Sequence, residues 1–347
     1  MKKLLNVKLL VVLLGVLFIA ACGSGNKDGE STDGGKAVKL DLSHFFPPAH
    51  FQEEEIQGLI EEIDEATDGR IKVTSYPGGS LAAPDEQFDA AATGSVDISL
   101  SVHGYTPNQF PLTSVMELPF MTTDAESGSK NLWELYQEFD EFDQEYAGTV
   151  PLWLYTTDPG QLFTTKKQVK SIEDLKGMRI RSPSAETSEW LQALGATPVS
   201  MPMNENFEAL ERGVVDGTIA PWEAIYTWGL DEVVKYATIG NFYSTTMFVV
   251  MNEGEFNALG EEDQKVLKEL TNGRMAEQTG KAFDAISEKA IEQAKEKGIE
   301  IYELSDRDLE EWSKFINPTI QNWIDKVEKR NLPGQAVYDR AVELRDK

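Results

Sequence analysis

The chain has almost no cysteine, little histidine and, past its first 21 residues, no long apolar run. Its single cysteine, Cys22, excludes an internal disulfide framework. The three histidines, His44, His50 and His103, show no His-x-x-x-His or His-Glu-x-x-His spacing. Nothing beyond Ala21 approaches the roughly 20 apolar residues of a membrane-crossing helix. Also missing are the Gly-x-x-x-x-Gly-Lys-Ser/Thr phosphate loop and the Gly-x-Ser-x-Gly nucleophile turn, so no cofactor is expected. Gly23-Ser24-Gly25 and Gly128-Ser129-Lys130 lack the frame such a turn needs. Carboxylate pairs are too abundant here to single out a glycosidase pair. Positive charge is scarce: 32 Lys and Arg against 59 Asp and Glu leave a net −27. Such a surface repels phosphate backbones and anionic lipid, which excludes nucleic acid and electrostatic membrane docking as expected partners. A buried arginine can still hold an anion, because salt screens over about 8 Å.

What is present begins with the placement of Cys22. Lys2, Lys3 and Lys8 precede an apolar run from Leu9 to Ala21 broken only by Gly15, and Ile19-Ala20-Ala21 leads into the cysteine. A positive start, a short apolar stretch and small residues at a cut site describe a secretory signal over 1–21. A cysteine directly after the small pair is the lipobox pattern, in which the thiol is acylated and becomes the new N-terminus. The expected location is therefore extracytoplasmic, on the outer face of the cell membrane, with a lipid at Cys22. Loss of the three lysines would take the charge from −27 to −30. Residues 22–36 carry no apolar side chain large enough to bury and read as a flexible tether.

From Ala37 onward enough chain remains for two domains. Val38, Leu40 and Leu42 alternate with polar residues as a strand does, and Ile56, Leu59, Ile60 and Ile63 recur as on one helix face. A strand over Ile71–Tyr76, a helix around Pro84–Thr93 and a strand over Val96–Leu100 complete a β-α-β-α-β run. The order returns: Met178–Ser182 extended, Ala185–Leu194 helical, Thr197–Met201 extended, Asn204–Arg212 helical, Gly217–Ala220 extended. Each run ends in a similar turn, Gly94-Ser95-Val96-Asp97 and Gly213-Val214-Val215-Asp216. This predicts an α/β protein of two similar lobes with open sheets and a cleft between them. Past Asn252, Val266, Leu267, Leu270, Phe283, Ile286, Ile291 and Ala294 suggest one long helix. A strand over Ile299–Tyr302 and helices bearing Trp312, Phe315, Ile320 and Trp323 follow, bracing the lobes.

The block Ser171-Ile172-Glu173-Asp174-Leu175-Lys176-Gly177-Met178-Arg179-Ile180-Arg181-Ser182-Pro183, continuing through Leu194–Val199 and Phe207–Gly217, resembles the substrate-binding proteins of tripartite ATP-independent periplasmic (TRAP) transporters. Thr67–Ile71 and Tyr76–Leu81 match an earlier block of that family, so the likeness spans nearly the whole mature chain. The resemblance implies a periplasmic-binding-protein-like fold, capture of a small organic anion, a membrane permease as partner and no catalysis. It places Arg181 as the cleft arginine that clamps the ligand carboxylate. A planar guanidinium offers two parallel donors to one carboxylate, which suits that role. Arg179 reads instead as a surface residue at a strand end.

Other ligand-binding candidates follow strand ends, where open α/β sheets hold their ligands. They are His44 and Phe45 after the first strand, Tyr105 after the third, and Trp222 and Glu223 after the strand ending at Ala220. In the family, Met203 and Glu205 start a helix facing the cleft; Glu205 equally suits a helix start by its charge. Asp158 offers a contact to a hydroxyl or ammonium group, or a cap for the turn before Pro159. Relatives that bind sialic acid carry a second arginine in the segment equivalent to Thr156–Gln161, and many have asparagine where this chain has Ala220. Those departures disfavour polyhydroxylated ligands and favour a smaller, partly apolar acid. The boundaries expected are 37–158 plus 247–286 for the first lobe and 159–246 plus 287–347 for the second, with a monomeric protein. The rival readings are a metal site built from His44, His50 and His103, and an exported enzyme.

Overall fold

The computed structural model describes residues 37–347. The expected signal, the Cys22 acylation site and the 22–36 tether lie outside the described residues. The chain runs β1 (Val38–His44), α1 (Phe51–Ala66), β2 (Ile71–Tyr76), α2 (Gln87–Ala92), β3 (Ile98–Val102), α3 (Ala125–Glu138) and β4 (Thr149–Thr156). It continues with β5 (Gly160–Thr164), α4 (Ile172–Leu175), β6 (Arg179–Ser182), α5 (Ala185–Ala193), β7 (Thr197–Ser200), α6 (Asn206–Glu211), β8 (Gly217–Pro221), α7 (Trp222–Thr227) and β9 (Tyr236–Tyr243). Then come β10 (Thr246–Asn252), α8 (Glu253–Ala258), α9 (Glu261–Leu270), α10 (Asn272–Glu296), β11 (Glu300–Glu303), α11 (Asp306–Ile316), α12 (Pro318–Glu328) and α13 (Gly334–Arg345).

Two sheets form, in the orders β2-β1-β3-β10-β4 and β11-β9-β5-β8-β6-β7. In each, a parallel trio from a βαβαβ run is joined by an antiparallel strand from outside that run: β10, from far along the chain, beside β3 in the first, and β5, which just precedes the run, beside β8 in the second. This is the two-lobed α/β architecture expected. The chain crosses from first sheet to second between β4 and β5 and returns between β9 and β10. The crossings are tied together: the Thr157 amide donates to the Thr245 carbonyl at 3.0 Å, and the Thr245 amide to Thr157 Oγ1 at 3.2 Å.

The paired turns seen in sequence have matching geometry. Gly94 and Gly213 both have positive φ, 74° and 66°, a region that favours glycine. In the first turn the Ser95 and Val96 amides both donate to the Ala90 carbonyl; in the second, the Val214 and Val215 amides donate to that of Ala209. Asp97 then accepts from the Asp41 amide at 2.7 Å, and Asp216 from the Arg179 amide at 3.0 Å. The strand registers agree, Leu42 opposite Ile98 and Ile180 opposite Gly217. By this correspondence Arg181 occupies in the second run the place Ser43 occupies in the first.

Helix α1 buries Ile56, Leu59 and Ile63, and His50 caps its start by accepting from the Gln52 amide. Three expectations need correction. The third strand starts two residues later than expected, at Ile98. The single long helix is two, with Leu267 on α9 and Phe283 and Ala294 on α10. The break is at Thr271 (φ −104°, ψ −134°) and Asn272 (φ 58°), backbone angles a continuous helix cannot contain. The Asn204–Arg212 stretch opens as a 3-10 turn over Met203–Glu205 before α6 begins. Helix α10 packs on α3 and β4 at one end and on α7 at the other, bridging both sheets.

Candidate functional site

Strand β6 presents two arginines with opposite surroundings. Arg179, at its start, is half exposed and pairs with Asp216 at 2.8 Å. Arg181, at its cleft end, is only 1% exposed. A buried cation is costly unless its donors are used. Arg181 Nε donates to the Met201 carbonyl at 2.9 Å, one terminal nitrogen to the Ile219 carbonyl at 3.3 Å, and the other to the Tyr105 hydroxyl at 3.1 Å. A guanidinium has five N–H groups, so each terminal nitrogen keeps one to offer. No carboxylate pairs with Arg181 among the described residues.

Tyr105 completes this arrangement from the other lobe. Its hydroxyl accepts from Arg181 and from the Met203 amide at 2.9 Å, so its own proton is free to be donated. Burial pushes the phenol's pKa upward, outweighing the Arg181 charge, and keeps that proton in place. Two N–H groups of Arg181 and the Tyr105 O–H are therefore left uncommitted in residues that line the cavity.

An apolar wall adjoins them. Phe45 stacks on Phe46 (4.5 Å between centroids) and on Trp228 (5.8 Å, 17° between planes), and meets Tyr105 edge-on at 5.8 Å. Phe45, Phe46, Tyr105, Arg181, Met203 and Trp228 line one cavity of about 30 Å³ between the lobes. At about 10–15 Å³ per water this is space for two waters, so the lobes stand closed and must part to admit a ligand. Their approach is close elsewhere too: a Cβ at Gly104 would lie 2.6 Å from Ser184 Cβ. Across the cleft, His50 Nε2 meets Glu223 Oε1 at 2.7 Å.

Of the candidates named from the sequence, Arg181, Phe45, Tyr105, Met203 and Glu223 line this cavity. The other candidates lie elsewhere. His44 is fully buried beside the wall, its Nε2 against Glu53 (2.7 Å) and Ser75 (3.2 Å). Glu205 is exposed. Trp222 packs edge-on against Phe163 at 4.9 Å. Asp158 caps the start of α7 rather than its own turn, accepting from the Trp222 amide at 2.8 Å and from Ser287 at 2.9 Å; burial holds its carboxyl well above the usual range. Asp158 and Trp222 line a separate cavity with Asp284 and Ser287.

The histidines do not converge. His103 Nε2 meets the Tyr146 hydroxyl at 2.8 Å, and burial pushes the ring's pKa down to about 3. No group of three His, Cys, Asp or Glu among the described residues is arranged to hold a metal. Sequence reasoning missed Trp228, Phe283 and Met247 in the cavity wall. Trp228-Gly229 reads in sequence as an ordinary helix end, and Phe283 arrives only through the course of α10.

Two lobes closing on a charged and aromatic cleft define a solute-binding protein. The family model for bacterial extracellular solute-binding protein, family 7 (DctP), matches residues 42–326, and the chain belongs to that family. It is similar to the C4-dicarboxylate-binding protein DctB of Bacillus subtilis, 30% identical over 292 residues, which cover 82% of this chain and 79% of that protein. A TRAP solute-binding protein from a marine metagenome, specific for aromatic acid ligands and solved with metahydroxyphenylacetate, superposes with a TM-score of 0.85 at 30% identity, covering 89% of this chain and 98% of its own. Another from Rhodoferax ferrireducens, solved with copurified benzoate, gives 0.84 at 28% identity with the same coverage. This chain is a TRAP-type substrate-binding protein that works outside the cytoplasm with membrane permease components, and not an enzyme. No helix among the described residues is long and apolar enough to cross a membrane.

Proposed function

We propose that this protein captures an aromatic monocarboxylate by pairing its acid group with Arg181 and closing its lobes over the ring. The observation that carries this reading is a buried guanidinium with two uncommitted N–H groups beside the Phe45–Trp228 wall. Charge-assisted hydrogen bonds contribute about 1.5–3 kcal/mol each, a large part of the roughly 8 kcal/mol that micromolar binding needs. The benzoate and hydroxyphenylacetate held by the two solved relatives support the ligand class. The ligand enters the parted cleft, and the lobes, 37–158 plus 247–286 and 159–246 plus 287–347, rotate about the tied crossings at Thr157 and Thr245. The closed form then presents its docking surface to the permease.

A thermal-melt screen of the purified protein against benzoate, phenylacetate, succinate and glucuronate tests this. Ligand at a hundred times its dissociation constant adds about 2.7 kcal/mol and raises the midpoint by a few degrees. The expected result is a shift with the aromatic acids that vanishes in Arg181→Ala. No shift with either aromatic acid, or a shift that survives in the variant, removes the reading.

We also infer that the protein is a monomer tethered through acylated Cys22, from the lipobox sequence that ends at that residue. Mass spectrometry of the membrane fraction should find the lipid on Cys22, and Cys22→Ser should free the protein. A variant that stays with the membrane, or a dimer by light scattering, would contradict this.

A further inference from the structure

The cavity is lined by a second charged residue besides Arg181. Glu223, on the first turn of α7, is 2% exposed and lines the same cavity as Arg181 without pairing with it. Its Oε1 accepts from His50 Nε2 at 2.7 Å and from the Thr227 hydroxyl. The Gln52 amide points at His50 Nδ1 at 3.2 Å, which leaves Nε2 to donate to Glu223. Glu223 Oε1 is thus used as an acceptor. Among the described residues no hydrogen bond reaches its other oxygen, Oε2.

We propose that Glu223 sets the specificity of the cleft: the ligand is an aromatic monocarboxylate bearing a hydrogen-bond donor, hydroxyl or amino, on the ring edge remote from its acid group, and diacids are rejected. The proposal rests on the reading of Arg181 as the carboxylate clamp. A carboxylate is acceptor-only, so whatever meets Oε2 must donate. A ring without a donor leaves a buried charge with an unmet acceptor once the lobes close, and sites built for a donor discriminate strongly against ligands lacking it. A second carboxylate at that end would place two negative charges together in a water-poor cavity, which is repulsive. Arg181 and Glu223 thus sort ligands by opposite criteria in one aromatic-lined cavity.

Calorimetry on the purified protein tests this with benzoate, meta- and para-hydroxybenzoate, meta- and para-aminobenzoate, and isophthalate. At least one donor-bearing acid should bind about tenfold or more tighter than benzoate, and isophthalate about tenfold or more weaker. The hydroxy and amino arms show which donor is used. In Glu223→Gln, whose amide can donate to a carboxylate, isophthalate should gain about tenfold. If benzoate equals every donor-bearing acid, or isophthalate equals benzoate, the proposal is overturned while the Arg181 reading stands. If no monoacid binds the folded protein, the Arg181 reading itself fails. Should Glu223→Gln not fold, the ranking on the unaltered protein decides alone.

Discussion

The two βαβαβ runs share a backbone and differ in what they bury at the cleft. Their turns make the same hydrogen bonds around Asp97 and Asp216, and their strands pair in the same register. At matching places the first run has Ser43, buried with its hydroxyl unpartnered, and the second has Arg181. The first lobe also buries Glu117 and His103 and supplies the Phe45 and Phe46 rings, while the second supplies the cation. The scaffold fixes where strand ends meet; to the shared cavity the first lobe brings Phe45, Phe46 and Tyr105, and the second brings Arg181, Glu223 and Trp228.

The strongest way to break this division is to give the second run the first run's residue. Arg181→Ser should lower affinity for benzoate by about a hundredfold, the loss of two charge-assisted bonds, as read by calorimetry. Removing the shared scaffold bonds comes next. Asp97→Ala and Asp216→Ala should each destabilise the protein by about 1.5–3 kcal/mol in urea unfolding, and unequal costs would show that the likeness of the turns is not energetic. Asp216 has its carboxyl held low chiefly by the Arg179 hydrogen bond, so its contribution is present above the usual Asp range and is lost in acid.

Where the lobes touch, Gly104→Ala should oppose closure, since its methyl meets Ser184. Overpacking of this kind costs about 1–3 kcal/mol, here weakening ligand binding while sparing the open form. The buried acid gives a smaller, pH-dependent effect. Burial, with Glu186 adding repulsion, raises Glu117 to about 7 from its ordinary 4.5. The folded state thus holds the proton more tightly, and its stabilisation is lost as pH rises from 4.5 through about 7. Glu117→Gln should remove that dependence, so its melting advantage over the unaltered protein grows from pH 5 to pH 8. Ser43→Ala should change stability least, within about 0.5 kcal/mol, because its hydroxyl forms no bond to lose.

Much of this was legible in the sequence. Alternation marked β1 and β2, the 3.6 period marked α1, and the 171–217 block carried Arg181. Strands β4 and β10 escaped because Thr149–Thr156 and Thr246–Asn252 are buried nearly throughout. Without a solvent face there is no period of two to read. Of the site, several residues just after strands were found, while Trp228 and Phe283, brought by helices, and Met247, on the unread strand β10, were not. Trp228 and Phe283 reach the cavity only through tertiary packing, which no local pattern encodes. His44, the last residue of β1, and Trp222, the first of α7, adjoin Phe45 and Glu223 yet do not line the cavity; a one-residue difference reverses a side chain's direction.

The exchanged strands bear on how such a chain can be made. Strand β10 lies between β3 and β4, so the first sheet lacks a central member until residue 252 has emerged, although its other four strands end by residue 156. The second sheet waits longer, for β11 at Glu300–Glu303. Pairing across such sequence distances is slow. Neither sheet can therefore be completed from an N-terminal part of the chain alone, and a fragment ending before residue 246 should lack a folded first lobe.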